Sequence, residues 1–137
     1  LGSNGAVSII EALQVNRTIH TIDLCGNYLN VLEVRTLAEV LRVNPTLACV
    51  NIMDNFAGAE GENAVAEALE VNRTLTTLFI DPFVGDVAHA IASRIESNIL
   101  WKAGHHPKQI ERRALDHVMM QGNVAGVIVC MCGGYVY

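Results

Sequence analysis

The chain has 137 residues, which is enough for one domain with its own hydrophobic core and too few for two. Hydrophobic residues make up 51% of it and charged residues 17%, which excludes the composition of an intrinsically disordered chain. The net charge is −5 and the nine lysines and arginines are scattered, so the basic stripe that a nucleic-acid partner requires is missing.

The sequence indicates a cytoplasmic protein. No window of 18 apolar residues is present, and the first five residues carry no positive charge ahead of a hydrophobic stretch, so we expect no membrane association. Four cysteines are too few for a disulfide scaffold, and Cys25 and Cys49 stand at different positions of a repeated unit. A reducing compartment therefore fits best.

Helices and strands are predicted to alternate. An amphipathic helix is expected first, from about Ala6 to Val15, and an extended segment over 19–29 follows, with the period of two of a strand. A second helix is predicted over Val31–Val43. The later elements are strands within 47–57 and 75–83 and helices over Gly61–Val71 and Gly85–Ser97.

One unit is copied along the chain. Asn16, Asn44 and Asn72 follow the predicted helices at intervals of 28 residues, which predicts stacked units. We expect these asparagines to adopt the left-handed conformation that ends many helices. The next interval, to Asn98, is two residues shorter, and Phe83 stands where a loop asparagine is expected, so an irregular third turn is predicted.

The last third of the chain is predicted to close the stack. A short fourth strand is expected over 100–106, followed by a capping helix over 107–121. The uncharged tail over 122–137 predicts a further strand, paired either with a sheet edge of its own chain or with another copy, which would make it a route to self-association. The chain begins within a helix, so we expect a fragment of a longer protein.

The strand segments match the L-x-x-L-x-L-x-x-N-x-L pattern of leucine-rich repeats. This predicts a single α/β domain over 1–137: a right-handed solenoid with repeats over 6–106, parallel strands on the concave face and helices on the convex face. Asn27 and Asn55 are expected to form a structural ladder by hydrogen bonding to the adjacent turn. The positions of the first unit that match are Ile19, Ile22, Leu24, Asn27 and Leu29.

Two sets of equivalent residues test this stacking. Ile22, Val50 and Leu78 should lie on neighbouring parallel strands. The buried face of each helix should hold two apolar residues, four apart in sequence. The predicted buried pairs are Ile9 and Leu13, Leu37 and Leu41, Val65 and Leu69, and Ile91 and Ile95.

The 28-residue unit resembles the ribonuclease-inhibitor-like class of leucine-rich repeats, and more closely the C-terminal domain of tropomodulins and leiomodins. This resemblance rests on two sequence segments. The first is the segment 67–75 at the end of a helix, and the second is Lys102 to His106, which precedes a predicted helix that begins near Gln109. It covers residues 6–121, and the apolar tail departs from the family pattern. The resemblance implies a protein-binding module of the cytoskeleton that acts at the pointed end of actin filaments, with actin as partner. A generic protein-interaction scaffold unrelated to actin is the alternative.

We expect the partner to contact the concave face. Phe79 with Met53 nearby would form an exposed anchor of the kind that interfaces use. The predicted contact residues are Thr21, Asp23, Asn51, Met53, Thr77, Phe79, Asp81, Lys102 and His106.

Catalysis and cofactors are not expected. The sequence has no phosphate-binding loop, H-E-x-x-H or G-x-S-x-G pattern. Cys130 and Cys132 with His105 and His106 lack the spacing of a structural zinc site, so no metal is predicted. Asp81, Asp86 and His89 are better explained as the start of a helix flanked by acids than as an acid and base pair.

Overall fold

The computed structural model describes residues 2–81 and 86–105, in which helices and strands alternate. The predicted bounds of α2 are confirmed, whereas α1 and α3 each begin about one turn earlier than predicted. The elements in chain order are α1 (Gly2–Leu13), β1 (Thr21–Asp23), α2 (Val31–Val43), β2 (Cys49–Asn51), α3 (Gly58–Val71), β3 (Thr77–Phe79) and α4 (Asp86–Lys102).

The three strands form one parallel sheet in the order β1-β2-β3. Ile22 pairs with Val50, and Val50 pairs with Leu78, so equivalent residues of successive units lie side by side. The prediction of parallel, in-register strands is confirmed. The helices pack against one another in chain order, α1 on α2, α2 on α3 and α3 on α4.

The core lies between the sheet and the helices. Successive units contribute equivalent positions to it, such as Leu24, Ile52 and Ile80. The largest fully buried side chains are Ile10, Leu13, Leu24, Leu29, Leu37, Leu41, Leu47, Ile52, Leu69, Leu75, Leu78 and Ile91.

Ile9 departs from the predicted buried pairs. It is only partly buried, and its neighbour Ile10 is fully buried in its place. In the described structure α1 packs against one helix, α2, whereas α2 and α3 each pack between two. Among the described residues, α1 therefore lacks the second neighbouring helix that the equivalent residue Leu37 has in α2, and the sequence period does not record how many neighbours a helix has.

The first turns of α2 and α3 show how α2 is capped and how α3 packs against it. Asn30 accepts a hydrogen bond from the Leu32 N–H at 2.8 Å, and the Glu33 carboxylate accepts one from the Asn30 N–H at 2.8 Å, a capping box. In α3, Gly61 is buried where a Cβ atom would lie 3.2 Å from a Val34 methyl group. Glycine therefore allows α3 to approach α2 closely.

The predicted fourth strand over 100–106 is wrong for its described part, because α4 continues to Lys102. The helix ends in a Schellman motif: the Gly104 N–H donates to the Trp101 carbonyl at 3.0 Å and the His105 N–H to the Leu100 carbonyl at 3.1 Å. Gly104 has φ +82°, which this motif requires and which a glycine adopts without strain. His106, the predicted capping helix, the apolar tail and Phe83 lie outside the described residues.

The asparagines that follow the helices are not left-handed, contrary to prediction. Asn44 has φ −82° and ψ 118°, and Asn72 has φ −69° and ψ 133°, both extended. The Asn44 amide donates to the Leu13 carbonyl at 2.7 Å, and the Asn72 amide donates to the Leu41 carbonyl at 2.7 Å. An extended backbone directs each amide back to the preceding unit, where it satisfies the last helical carbonyls.

None of the helices in the described part of the chain has the length and hydrophobicity that a bilayer crossing requires.

Candidate partner-binding face

The side of the sheet that faces away from the helices carries two rows of aligned side chains, which we call the outer sheet face. The rows are Thr21, Cys49 and Thr77, and Asp23, Asn51 and Phe79. They flank the row of Ile22, Val50 and Leu78, which points toward the helices because side chains alternate along a strand. Neighbouring members of a row are about 4.8 Å apart.

Most predicted contact residues of the sheet are accessible, but not all. Thr21 and Asp23 are exposed, and Asn51, Met53 and Phe79 are partly buried. Thr77 is only 1% exposed, so a partner does not reach it in this structure, and Phe79 is less exposed than predicted. Strand alternation determines which face a side chain occupies, but burial depends on which segments pack over that face.

Asp23 and Asn51 serve the same local purpose in their units. The Asp23 carboxylate accepts a hydrogen bond from the Cys25 N–H at 2.9 Å, and the Asn51 side-chain oxygen accepts one from the Met53 N–H at 3.1 Å. These contacts turn the chain out of each strand. Asp23 is exposed, so a partner can reach its carboxylate.

Asn55 holds two turns together. Its side-chain oxygen accepts hydrogen bonds from the Asn27 N–H at 3.2 Å and the Leu29 N–H at 2.9 Å. Its amide donates to the carbonyls of Leu24 at 3.0 Å, Ile52 at 2.9 Å and Met53 at 3.0 Å. The Asn27 amide donates to the Cys25 carbonyl at 3.1 Å. These bonds fix the loop that leads from β1 to α2.

Asp81 has a structural role that the sequence did not reveal. Its two carboxylate oxygens accept hydrogen bonds from the Asp54 N–H at 2.9 Å and the Asn55 N–H at 3.2 Å. One unit earlier, the side-chain oxygen of Asn55 accepts the equivalent hydrogen bond from the Asn27 N–H. In the third unit the sequence has Phe83 in place of the loop asparagine, and Asp81 supplies the acceptor instead. Partial burial, and then the charge of Asp81, raise the pKa of the nearby Glu62.

Lys102 is not on the outer sheet face, contrary to prediction. It lies in the last turn of α4, and its ammonium group donates to the Thr74 carbonyl at 2.7 Å. The extension of α4 past Ser97 is the reason, because it moves Lys102 from a strand to a helix end. Lys102 therefore ties α4 to the loop before β3.

Cys25 offers a chemical probe of the loop after β1. Its thiol donates to the Asp54 carboxylate, with Sγ and Oδ2 at 3.5 Å. The pKa of Cys25 is raised, mainly by desolvation of the thiol. The hydrogen bond to Asp54 and the negative charges of Asp54, Asp23 and Asp81 raise it further. A raised pKa lowers the thiolate fraction at any pH below it.

We therefore expect iodoacetamide to alkylate Cys25 more slowly than a free cysteine at pH 8, with the rate rising at higher pH. Asp54→Asn should accelerate the reaction at pH 8, since it removes a negative charge from beside the thiol. Peptide mapping by mass spectrometry separates Cys25 from Cys49, whose rate serves as the internal control. Equal acceleration at both cysteines would indicate a loosened fold rather than a local electrostatic effect.

Two aromatic residues at the ends of the strand-to-helix loops were missed by the sequence analysis. The rings of Tyr28 and Phe56 are stacked, with centroids 6.1 Å apart and an interplanar angle of 23°. They occupy equivalent positions 28 residues apart, so aligning the units would have placed them side by side.

Among the described residues, no group of three or more histidine, cysteine, aspartate or glutamate side chains is arranged to hold a metal ion.

Comparison with known proteins identifies the fold. No protein-family model matches the sequence, and no curated protein matches it. Actin-binding site 2 of leiomodin-1 has a TM-score of 0.66 at 22% identity, covering 88% of this chain and 76% of that one. The tropomodulin C-terminal domain of Caenorhabditis elegans has a TM-score of 0.64 at 20% identity, covering 88% and 81%. The resemblance in fold to tropomodulin and leiomodin C-terminal domains is confirmed.

Proposed function

We propose that this chain is an actin-binding module of the tropomodulin type, which contacts actin through the outer sheet face. The observation that carries the proposal is the shared fold with the leiomodin-1 actin-binding site and the tropomodulin C-terminal domain. A cytoplasmic location at the cytoskeleton follows from such a partner, and the protein acts by surface complementarity rather than catalysis.

The finer architecture that we propose is a right-handed leucine-rich-repeat solenoid. Packed helices lie 8–10 Å apart, roughly twice the spacing of paired strands at about 4.8 Å. A stack that keeps both spacings must curve toward its strands. The outer sheet face is then the concave wall of the solenoid, and its exposed and partly buried residues are the ones we assign to actin: Thr21, Asp23, Asn51, Met53 and Phe79.

Growth of actin filaments at their pointed ends tests the proposal. Pyrene-labelled actin should elongate more slowly from seeds with blocked barbed ends when micromolar full-length chain is added. Phe79→Ala should weaken this inhibition about fivefold or more, since a partly exposed aromatic ring on the face acts as an anchor. Trp101→Ala is the matched control, because Trp101 is a 53% exposed aromatic residue in the last turn of α4.

The outcomes distinguish actin binding from a generic protein-interaction scaffold. Unchanged elongation at micromolar protein would contradict actin binding and leave the generic scaffold. Equal loss with Phe79→Ala and Trp101→Ala would contradict the assignment of the outer sheet face. Thermal unfolding of each variant shows whether a loss of inhibition reflects binding or folding.

A further inference from the structure

The strand-to-helix edge of the molecule carries apolar side chains that a monomer would be expected to bury. Tyr28 is 69% exposed, Phe56 65% and Leu32 68%. Tyr28 and Phe56 stack on each other, and Leu32 lies four residues after Tyr28, in the first turn of α2. We call these three residues the aromatic edge. Clustered exposed aromatic residues are typical of interaction sites.

The aromatic edge is held in place before any partner binds. Tyr28 has φ +59°, a conformation that an aromatic residue rarely adopts and that surrounding contacts must enforce. Asn55 provides them, because its side-chain oxygen accepts hydrogen bonds from the N–H groups of Asn27 and Leu29, on either side of Tyr28. The Phe56 N–H donates to the Leu29 carbonyl at 2.7 Å. Because the two rings are already ordered, little of their conformational entropy is lost when a partner binds.

The loop segments of this edge are acidic. The segments 23–33, 51–62 and 79–86 contain no lysine or arginine. Arg17, Arg42, Arg73 and Lys102 lie at or just beyond the opposite ends of the helices, Arg94 lies within α4, and Arg35 lies in α2, three residues beyond Leu32. The carboxylates of the edge segments belong to Asp23, Glu33, Asp54, Glu60, Glu62, Asp81 and Asp86.

Asp54 brings this charge to the rings. It is exposed, two residues before Phe56, and its carboxylate accepts the hydrogen bond from the Cys25 thiol in the loop that leads to Tyr28. A guanidinium group can stack on an aromatic face and pair with a carboxylate through its edge at the same time. An ammonium group can do only part of this, since it is compact and strongly hydrated.

We propose that the aromatic edge binds an arginine-bearing basic segment of a partner protein, with the guanidinium group on the Tyr28 and Phe56 rings and paired with Asp54. Tyr28, Phe56 and Asp54 are not among the residues assigned to actin, so the proposal does not depend on actin binding.

Fluorescence anisotropy with labelled 12-residue peptides tests this on the full chain. The peptides alternate alanine with arginine, lysine, glutamine or glutamate. At 50 mM NaCl the arginine peptide should bind most tightly, the lysine peptide more weakly, and the other two should not bind. Raising the salt concentration should weaken binding, because the carboxylates are exposed.

Variants assign the contacts. Phe56→Ala and Phe56→Leu should each weaken binding of the arginine peptide about fivefold, the second because it keeps apolar area but removes the ring. Asp54→Asn should weaken binding and reduce its salt dependence; asparagine tolerates the φ of +55° found at Asp54. Trp101→Ala and Glu70→Gln, an exposed aromatic and an exposed carboxylate elsewhere, are the matched controls and should leave binding unchanged.

Several results would overturn the proposal. They are absence of arginine-peptide binding, equal binding of the glutamine peptide, and equal effects of Phe56→Ala and Trp101→Ala. Tighter peptide binding after Arg112→Glu with Arg113→Glu would show that the chain's own basic segment occupies the edge. A dimer in sedimentation that Phe56→Ala dissociates would show that a second copy occupies it. Circular dichroism of each variant confirms that it is folded.

Discussion

Replacement of Leu69 by alanine is expected to lower the free energy of unfolding by about 2 to 5 kcal/mol. Leu69 is 0% exposed in α3, which packs between α2 and α4. The substitution removes buried methyl groups and leaves a cavity that two neighbouring helices cannot close without distorting their own contacts. Urea unfolding of the full chain, followed by circular dichroism, measures the effect.

Leu32→Ala is the matched control for Leu69→Ala. Leu32 is a leucine of the neighbouring helix but is 68% exposed, so its truncation should change stability by no more than about 0.5 kcal/mol. Phe79→Ala should fall between the two, because Phe79 is partly buried. Losses in the reverse order would show that the assignment of buried and exposed faces is wrong.

Asn72→Ala is expected to cost about 3 kcal/mol, although asparagine is a polar residue. Asn72 is 4% exposed. Its amide donates to the Leu41 carbonyl at 2.7 Å, and its oxygen accepts from the N–H groups of Thr74 at 2.9 Å and Leu75 at 2.8 Å. Alanine would leave these backbone groups without their protein partners, and two of the three bonds, to Leu41 and Leu75, are buried.

The first unit provides the control for Asn72→Ala. Asn16 stands at the equivalent position, and its oxygen accepts from the N–H groups of Thr18 at 2.9 Å and Ile19 at 2.8 Å. It is only partly buried, so water can replace some of these bonds and Asn16→Ala should cost about 1 kcal/mol. Equal losses at the two positions, measured by the same urea titration, would mean that burial is not the source of the cost.

The asparagines that follow the helices show a limit of prediction from sequence. The 28-residue spacing of Asn16, Asn44 and Asn72 was evident, but a helix-end asparagine commonly signals a local left-handed turn. Whether its amide acts locally or on the preceding unit depends on how far away that unit lies. Among the described residues, no buried side-chain nitrogen or oxygen lacks a hydrogen-bond partner, which shows how completely the stacked units use these amides.

The candidate surfaces show the same limit. Strand alternation placed Asp23, Asn51 and Phe79 in one row, and the observed register agrees. Alternation did not reveal that Thr77 is buried or that Asp81 accepts two backbone hydrogen bonds from the preceding turn. It also did not reveal the stacking of Tyr28 on Phe56, because both lie in loops outside the strands; the spacing of 28 residues places them side by side but does not determine how their rings are oriented.

The sequence by itself determined the order of elements, the parallel register and most of the core, because each follows from a period: two along a strand, 3.6 around a helix and 28 between units. Only the tertiary structure decided where α4 ends, which asparagines bridge units and that the Tyr28 and Phe56 rings stack. These depend on distances between segments far apart in the chain. A hydrogen bond or ring contact forms over a few ångströms, and only the folded chain brings such segments that close.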